Sequence, residues 1–273
     1  MTRTTATKSL LGHHSTHLGD VVPGSLESIE GWSRPGRESV RPLLLGHRGA
    51  RPISRSDTSA PASVPPENSL ACFEYALANG CDGFEFDVRV TRDGQLVICH
   101  NAWVKGFKVS ASSYDRLQSH GPFCSLEEVL RRFAHRAYLD VEVKVAGAED
   151  AIVAAVHRQR PQSGFVISSF LPEVLRRLHK LDSSLPLGYV CKRSSSLPLL
   201  RRLPIQLVLP HYKLVTRELI EQAHDRGLQI FTWTVNREPD LLQLADWGID
   251  GVISDDPRLL TQTLGNSEAL AKS

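Results

Sequence analysis

The chain has 273 residues, of which 41% are hydrophobic and 23% charged, and its formal net charge is +2 with histidine neutral. These values are typical of a soluble globular protein large enough for one or two domains. They exclude the strong positive charge expected of a general nucleic-acid binder. Five cysteines without a C-x-x-C pair favour neither a disulfide framework nor a cysteine zinc site.

The first 40 residues differ in composition from the rest of the chain. They begin MTRTTATKSLLGHHSTH, which is rich in Thr, Ser and His and has no acidic residue before Asp20. This stretch lacks the apolar core of a secretory signal, and no run in the chain is apolar over the length of a transmembrane helix. We therefore expect residues 1–40 to be a mobile or loosely packed N-terminal extension of a cytoplasmic protein.

From Pro42 onward, short apolar runs alternate with segments of helical spacing. Eight runs have the length and composition of strands: LLLGH, GFEFDVRV, AYLDVEVKV, GFVISSF, LPLGYVC, IQLVLPHY, LQIFTWTVN and DGVISD. Amphipathic helices are predicted between most of them: ENSLACFEYALANG, SLEEVLRRF, EDAIVAAVHRQ, PEVLRRLHKL, TRELIEQAHDRG and EPDLLQLADWG. This alternation predicts parallel strands, and eight repeats favour a closed (β/α)8 TIM barrel over residues 41–264, with a C-terminal tail at 265–273.

The strand GFEFDVRV carries two carboxylates on one side. Glu85 and Asp87 are two residues apart, so their side chains project from the same face about 6.5–7 Å apart along the backbone. A solvated face is the simplest explanation in a lone strand, but a barrel strand faces helices on one side and the barrel interior on the other. Two buried anions require a cation, and oxygen ligands favour one Mg²⁺ or Ca²⁺ ion over zinc.

The next histidine follows an Asp-Gly pair that predicts a two-residue hairpin turn. If Arg92 and Gln95 flank that turn, Asp87 lies opposite His100, and the imidazole joins the acidic face. A three-residue turn would shift the register and place His100 on the other face.

Further polar residues occupy the ends of other predicted strands. LGHRG places His47 and Arg48 after the first strand, and LDVEVKV places Asp140, Glu142 and Lys144 on one side of another. Each alone has a plain structural explanation, as a hydrogen-bonded histidine or a surface ion pair. Together they provide acids for a metal, cations for an anionic substrate and imidazoles for proton transfer near neutral pH.

The chain resembles the glycerophosphodiester phosphodiesterases. The motifs LGHRGA, PENSL, FEFDVRVTRDGQLVICH, VEVK, WTVN and DGVISDDP occur in the order found in that family, from about Leu43 to Leu260. The resemblance implies a (β/α)8 barrel that uses a divalent cation to hydrolyse glycerophosphodiesters to sn-glycerol 3-phosphate and an alcohol. The expected partner is therefore a small molecule, with no nucleic acid and no stable membrane insertion.

The resemblance also implies roles for individual residues. Three acids match the metal ligands: Glu85, Asp87 and Glu142. Two histidines match the catalytic pair: His47 and His100. Three residues match substrate contacts, two of them to the phosphate and the last in the pocket wall: Arg48, Lys144 and Trp233. Glu67, in the PEN motif, matches a position at the metal site or its near shell.

Three departures from the family pattern stand out. Asn101 follows His100 where the family usually has aspartate, which could weaken the orientation of the histidine or the metal shell. The next segment, AWVKGFKVS, lacks the usual Arg-Thr signature, so the leaving-group pocket could differ. The loop between His47 and Glu67 is longer than usual and could act as a lid.

Two alternatives remain open from the sequence. A phospholipase D-like enzyme acting on lysophospholipids or sphingomyelin would have an exposed apolar rim near the site. A non-catalytic barrel that only binds phosphodiesters would fit the substitution at Asn101. Retention of both histidines and of the three acids argues against the second alternative, because a binder has no need of paired proton carriers.

Overall fold

The computed structural model describes residues 41–52 and 64–265. The predicted N-terminal extension, most of the long loop after His47 and all but the first residue of the predicted C-terminal tail lie outside the described residues. Within them, no helix has both the length and the apolar character needed to span a membrane.

The predicted closed barrel is confirmed. The strands of the described residues are β1 Leu43–His47, β2 Gly83–Val90, β3 Leu96–Ile98, β4 Trp103–Val104, β5 Phe107–Lys108, β6 Tyr138–Val143, β7 Phe165–Ser169, β8 Leu187–Cys191, β9 Leu207–Pro210, β10 Gln229–Thr232 and β11 Gly251–Ser254. Eight of them pair in parallel in the order β1-β2-β6-β7-β8-β9-β10-β11, and β11 pairs with β1 to close the ring. The two-stranded hairpin β4–β5 stands apart from the barrel.

Helices connect most of the barrel strands, as the sequence pattern predicts. The α-helices of the described residues are α1 Leu70–Ala78, α2 Tyr114–Gln118, α3 Leu126–Phe133, α4 Glu149–Gln159, α5 Pro172–Leu181, α6 Arg217–His224, α7 Glu238–Asp246 and α8 Pro257–Leu264. Between β8 and β9, 3₁₀ turns replace the α-helix over Ser194–Arg201. A capping box begins α3, since the side chains of Ser125 and Glu128 each accept from the other's backbone N–H. The final helix, α8, was not among the predicted elements.

The alternation of β2 decides where its acids lie. Phe84 and Phe86 point outward into the layer between barrel and helices, where the Phe84 ring stacks on Phe73 at 4.2 Å and meets Phe133 edge-on. Because successive side chains alternate across a strand, this outward apolar face turns Glu85 and Asp87 into the barrel. A second, smaller apolar cluster fills the interior and is formed by Leu45, Tyr138, Val166, Val190, Leu207, Leu209, Phe231 and Ile253.

The predicted turn between β2 and β3 is wrong by one residue. Thr91 and Gln95 face each other, so three residues form the turn, and the backbone of Asp87 is paired with Cys99. His100 nevertheless lines the same cavity as the acids. β3 ends at Ile98, so the strict alternation that would have turned His100 away no longer applies where the histidine lies.

Candidate active site

A cavity of about 360 Å³ opens at the carboxyl ends of the barrel strands. Its wall includes residues from the ends of seven of the eight barrel strands or the segments just after them. Both predicted catalytic histidines, both predicted phosphate ligands and Trp233 line it, together with Glu85 and Glu142. Parallel strands point the same way around a closed barrel, and so residues distant in sequence converge at this end.

Three carboxylates meet at the base of this cavity. Glu85, Asp87 and Glu142 each offer an oxygen within 4.8 Å of the other two. Their convergence follows from strand register, because Asp87 on β2 is the direct partner of Glu142 on β6. All three are buried, with exposed fractions of 4%, 1% and 8%.

The electrostatics of the three acids fit a bound cation. Burial, reinforced by Asp87 and Glu142, raises the pKa of Glu85 well above its ordinary value. Burial also raises the pKa of Glu142. Oxygen Oε1 of Glu85 is buried and has no hydrogen-bond partner among the described residues. An acid set with an unsatisfied oxygen suits a hard divalent cation with oxygen ligands, and no transition-metal ligand such as cysteine or histidine belongs to the group.

Two basic side chains partly neutralise this cluster. The Lys144 ammonium lies 2.6 Å from Glu142 Oε1 and 3.0 Å from Asp87 Oδ1. Arg48 Nε lies 3.2 Å from Asp87 Oδ2. Burial pushes the pKa of Asp87 upward, but Lys144 and Arg48 outweigh it, and the net effect is a lowered pKa. Asp87 is therefore the carboxylate that stays ionised most readily.

β1 ends in a tight turn that directs the backbone N–H of Arg48 toward the acids. Arg48 adopts a left-handed φ of 52°, which is uncommon for a residue other than glycine. Its backbone N–H donates to Glu85 Oε2 at 3.0 Å. A Cβ on Gly46 would lie 1.9 Å from the Gly49 carbonyl oxygen, so glycine is required where the chain folds back around His47.

His47 is held by a carboxylate from the opposite end of the chain. Its Nδ1 lies 2.6 Å from Asp255 Oδ1, just beyond β11. Asn236 fixes that carboxylate, since its Nδ2 donates to Asp255 Oδ2 at 2.7 Å and its Oδ1 accepts the Asp255 backbone N–H. Burial opposes ionisation of Asp255, but the bond to His47 prevails and lowers the pKa of Asp255. An ionised acceptor places the proton of neutral His47 on Nδ1, which leaves Nε2 to face the site, 3.8 Å from Glu85.

His100 is held differently. Its Nδ1 lies 3.0 Å from the side-chain oxygen of Asn101, so an amide makes the contact at the position where the family usually has a carboxylate. The Arg89 guanidinium donates two hydrogen bonds, of 2.9 and 2.7 Å, to the His100 carbonyl oxygen. Burial lowers the pKa of His100, although Asp87 acts in the opposite direction. The imidazole is therefore neutral over a wider pH range than a free histidine.

Glu67 lies beside the acids and contacts two arginines. Its oxygens accept from Arg48 Nη1 at 2.8 Å and from Arg51 Nε at 2.7 Å. Its neighbour Asn68 reaches the acids directly, because Asn68 Nδ2 donates to Asp87 Oδ2 at 2.9 Å. The place of Glu67 in a metal shell stays a prediction, and its observed contact to the cluster runs through Arg48.

A fourth acid, Asp140, lies deeper in the barrel. It is the register partner of Glu85, and its Oδ1 accepts from Ser168 at 2.6 Å while Oδ2 has no partner among the described residues. Burial, reinforced by Glu142 and Asp87, raises the pKa of Asp140 to about 7. This carboxyl group is therefore half protonated near neutral pH.

Aromatic rings form the other side of the cavity. Trp233 donates its indole N–H to the Leu209 carbonyl at 2.9 Å. Its ring stands perpendicular to those of Phe170 and His211, at centroid distances of 5.5 and 5.3 Å. These contacts hold Trp233 in the wall of the cavity, and its contact with a substrate stays a prediction.

Residue-by-residue sequence reasoning missed the groups that hold the histidines and Asp87. These are Asn68, Arg89, Asn236 and Asp255. All four lie inside motifs that carry the family resemblance: PENSL, FEFDVRVTRDGQLVICH, WTVN and DGVISDDP. A polar residue just past a barrel strand was the available signal, but nothing in the sequence states which histidine each would contact.

Comparison with known proteins agrees with the fold and shows the family. The family model described as the glycerophosphoryl diester phosphodiesterase family matches residues 47–259. A glycerophosphodiester phosphodiesterase from Caldanaerobacter subterraneus is 28% identical over 246 residues, which cover 81% of this chain and 97% of the relative.

Solved structures that share this barrel include a glycerophosphodiester phosphodiesterase and a phosphodiesterase. The glycerophosphodiester phosphodiesterase from Thermotoga maritima is 23% identical, with a TM-score of 0.69 over 82% of this chain and 99% of its own. A phosphodiesterase from Oleispira antarctica, solved with the product sn-glycerol-3-phosphate, is 22% identical, with a TM-score of 0.67 over 83% of this chain and 98% of its own. With a family model spanning most of its length, the chain belongs to the glycerophosphoryl diester phosphodiesterase family and is a phosphodiesterase.

Proposed function

We propose that the protein hydrolyses glycerophosphodiesters to sn-glycerol 3-phosphate and an alcohol, with one divalent cation and two histidines. One observation carries this proposal: three buried carboxylates lie within 4.8 Å of one another, and two of them, Glu85 and Glu142, line the same cavity as the imidazoles of His47 and His100. The product bound to the Oleispira antarctica relative supports the same product here. We further propose that residues 41–264 form the catalytic unit, because β1 closes the barrel by pairing with both β2 and β11.

The cations around the cavity suit the phosphate of the substrate. A phosphodiester is an anion that repels nucleophiles, so catalysis requires positive charge around its oxygens. Glu85, Asp87 and Glu142 would hold Mg²⁺ or Ca²⁺, which supplies Lewis-acid stabilisation of the phosphoryl oxygens. Arg48 and Lys144 line the same cavity and contribute two further positive charges.

The two imidazoles suit the two proton transfers of the reaction. One removes a proton from the attacking water, or from the glycerol 2-hydroxyl in a cyclising first step, and the other protonates the departing alkoxide. His47 has the geometry for reversible protonation, since Asp255 stabilises a positive charge on its ring through Nδ1. His100 offers its Nε2 to the cavity with Nδ1 bonded to the neutral Asn101 side chain.

The test measures glycerol 3-phosphate release from a panel of glycerophosphodiesters and lysophospholipids, with a chelator and with Mg²⁺ or Ca²⁺ restored. We expect turnover of glycerophosphodiesters that the chelator abolishes and the metal restores. His47→Ala and His100→Ala are each expected to lose at least a thousandfold in kcat while circular dichroism shows a folded barrel. Wild-type turnover in either variant would refute the two-histidine mechanism, and rates unchanged by thorough chelation would refute the role of the metal.

A further inference from the structure

One side of the cavity differs in chemistry from the side that holds the carboxylates. Phe170, Lys192 and Trp233 line it at the ends of β7, β8 and β10. Among the described residues that line this side, Lys192 is the one with a charged side chain. The β2–β6 side, by contrast, presents several carboxylates together with Arg48 and Lys144.

The sequence around Lys192 contains no acid that would neutralise it locally. From residue 183 to residue 217 the chain has six lysines or arginines and no aspartate or glutamate. This stretch includes β8, β9 and the segments that follow them on the active face. A run of 35 residues without an acid is unusual in a chain with 30 acids in 273 residues, and of its six cations Lys192 is the one that lines the cavity.

Lys192 also differs from the other cations of the cavity in its surroundings. Lys144 lies within 3.0 Å of two carboxylates, and Arg48 lies near two as well. Lys192 is exposed, and no carboxylate of the described residues lies within ion-pairing distance of it. The charge of Lys192 also affects a neighbouring histidine. Burial is the main cause of the lowered pKa of His211, and the positive charges of Lys192 and Lys213 lower it further. An uncompensated cation at a cavity wall attracts an anionic group of the ligand.

The aromatic rings beside Lys192 do not form a free cage for an ammonium group. The ring of Phe170 already has the Lys144 ammonium 5.6 Å from its centre, and Trp233 packs against Phe170 and His211. A cationic choline-type group would approach these rings next to two lysines. Charge repulsion there opposes the cation–π attraction that such a group would gain.

We propose that Lys192 selects glycerophosphodiesters whose alcohol moiety carries a second anionic group, a phosphate or a carboxylate. This proposal rests on the proposed function, since it concerns the other end of the same substrate. The phosphodiester to be cleaved binds beside the carboxylates, near Arg48 and Lys144, and the second anion lies against Lys192 at the β8 side of the mouth.

The test compares four substrates that share the glycerophosphoryl group. Bis(glycerophospho)glycerol carries a second phosphodiester, glycerophosphoglycolate a carboxylate, glycerophosphoglycerol no further charge and glycerophosphocholine a fixed cation. We expect kcat/KM to be about tenfold higher for an anionic alcohol than for the neutral one, and lowest for choline. The two anionic substrates separate recognition of a phosphate from recognition of a carboxylate, and preference for either supports the proposal.

Substitution of Lys192 tests whether this residue causes the preference for anionic substrates. Lys192→Met is expected to lower kcat/KM about tenfold for the preferred anionic substrate and less than twofold for glycerophosphoglycerol, and Lys192→Arg is expected to restore it. Lys180→Met serves as the matched control, because Lys180 is an exposed residue in the last turn of α5, before β8 begins. We expect the difference in kcat/KM between the wild-type enzyme and Lys192→Met to shrink in 0.5 M salt, since salt screens exposed charges.

A binding experiment distinguishes failure of this proposal from failure of the proposed function. The same four compounds are titrated calorimetrically into His100→Ala, with Lys192→Met added in a second protein. Absence of hydrolysis by the wild-type enzyme would refute the proposed function, whereas tighter binding of the anionic compounds that Lys192→Met abolishes would still support the role of Lys192. Equal affinity for all four compounds, or a wild-type preference for choline, would overturn it.

Discussion

At the scale of single residues, Asp140 shows how burial controls a carboxyl group. It belongs to the same inward face of β6 as Glu142, yet no lysine or arginine contacts it, and its Oδ2 has no partner among the described residues. Burial favours the neutral form of an isolated acid. Its pKa, raised from 3.8 to about 7, makes the stability of the barrel depend on pH.

The metal-free protein is expected to lose stability as pH rises from about 4 to about 7. Between these values the folded protein keeps a proton on Asp140 that the unfolded chain has released, so the free energy of unfolding falls with rising pH. Asp140→Asn retains an oxygen for Ser168 and removes this titration. Melting temperatures measured with a chelator present are expected to agree near pH 4, with the variant several degrees higher at pH 8. Parallel melting curves across this range would contradict the prediction.

The pair formed by Asp255 and His47 gives a second prediction at this scale. Asp255→Asn keeps the shape of the side chain but removes the charge that orients and stabilises the imidazole ring. We expect kcat to fall about a hundredfold with KM changed less than threefold, because substrate contacts are unaffected. Asp246→Asn is the control, since Asp246 lies on the surface in an ion pair with Arg217. A raised KM with unchanged kcat would indicate a binding role instead.

At the scale of elements, the return segment after β2 places His100. The three-residue turn moves the pairing by one position from that predicted, and the chain leaves the strand after Ile98. Arg89 then fixes the segment by bonding the His100 carbonyl with both Nε and Nη2. Side chains past a strand end depend on such contacts for their direction, since the pleat no longer sets it.

Removal of the Arg89 guanidinium is therefore expected to displace His100. Arg89→Met keeps much of the aliphatic stem, so we expect kcat to fall about tenfold, or ~1.4 kcal/mol, while the melting temperature changes little. Arg92→Met, an exposed position on the same turn, serves as the control. Unchanged steady-state kinetics for Arg89→Met would show that the Asn101 contact alone holds the imidazole.

At the scale of the whole molecule, metal binding at the acid cluster would be coupled to folding. β2 and β6 supply the three proposed ligands, and β2 pairs with β1, β3 and β6. A cation that binds only the folded barrel stabilises it in proportion to the logarithm of its concentration above Kd. It also relieves repulsion among acids whose burial in the metal-free protein is unfavourable.

We expect the melting temperature at pH 8 to rise by several degrees in millimolar Mg²⁺ or Ca²⁺ and to return when a chelator is added. Glu142→Gln is expected to abolish the shift, and Glu173→Gln, at an exposed position on α5, is expected to retain it. A shift of the same size in Glu142→Gln would place the metal elsewhere on the protein.

The sequence by itself determined the architecture and most of the named site. Eight apolar runs separated by helical segments required parallel strands, and the outward packing of Phe84 and Phe86 required Glu85 and Asp87 to face inward. Such periodicity is local and repeats along each element, so it can be recognised without knowledge of partners. The family resemblance, confirmed by the match over residues 47–259, then predicted His47 and His100 as the catalytic pair.

Only the tertiary structure decided which residues support that site. Asp255 contacts His47 across 208 positions of sequence, and Asn68 reaches Asp87 from a different segment. Lys192 differs from Lys144 in its exposure and in the absence of acids around it in the described part of the fold. Contacts between distant segments arise from barrel closure and strand register, whereas hydrophobic periodicity reports only which side of an element is buried.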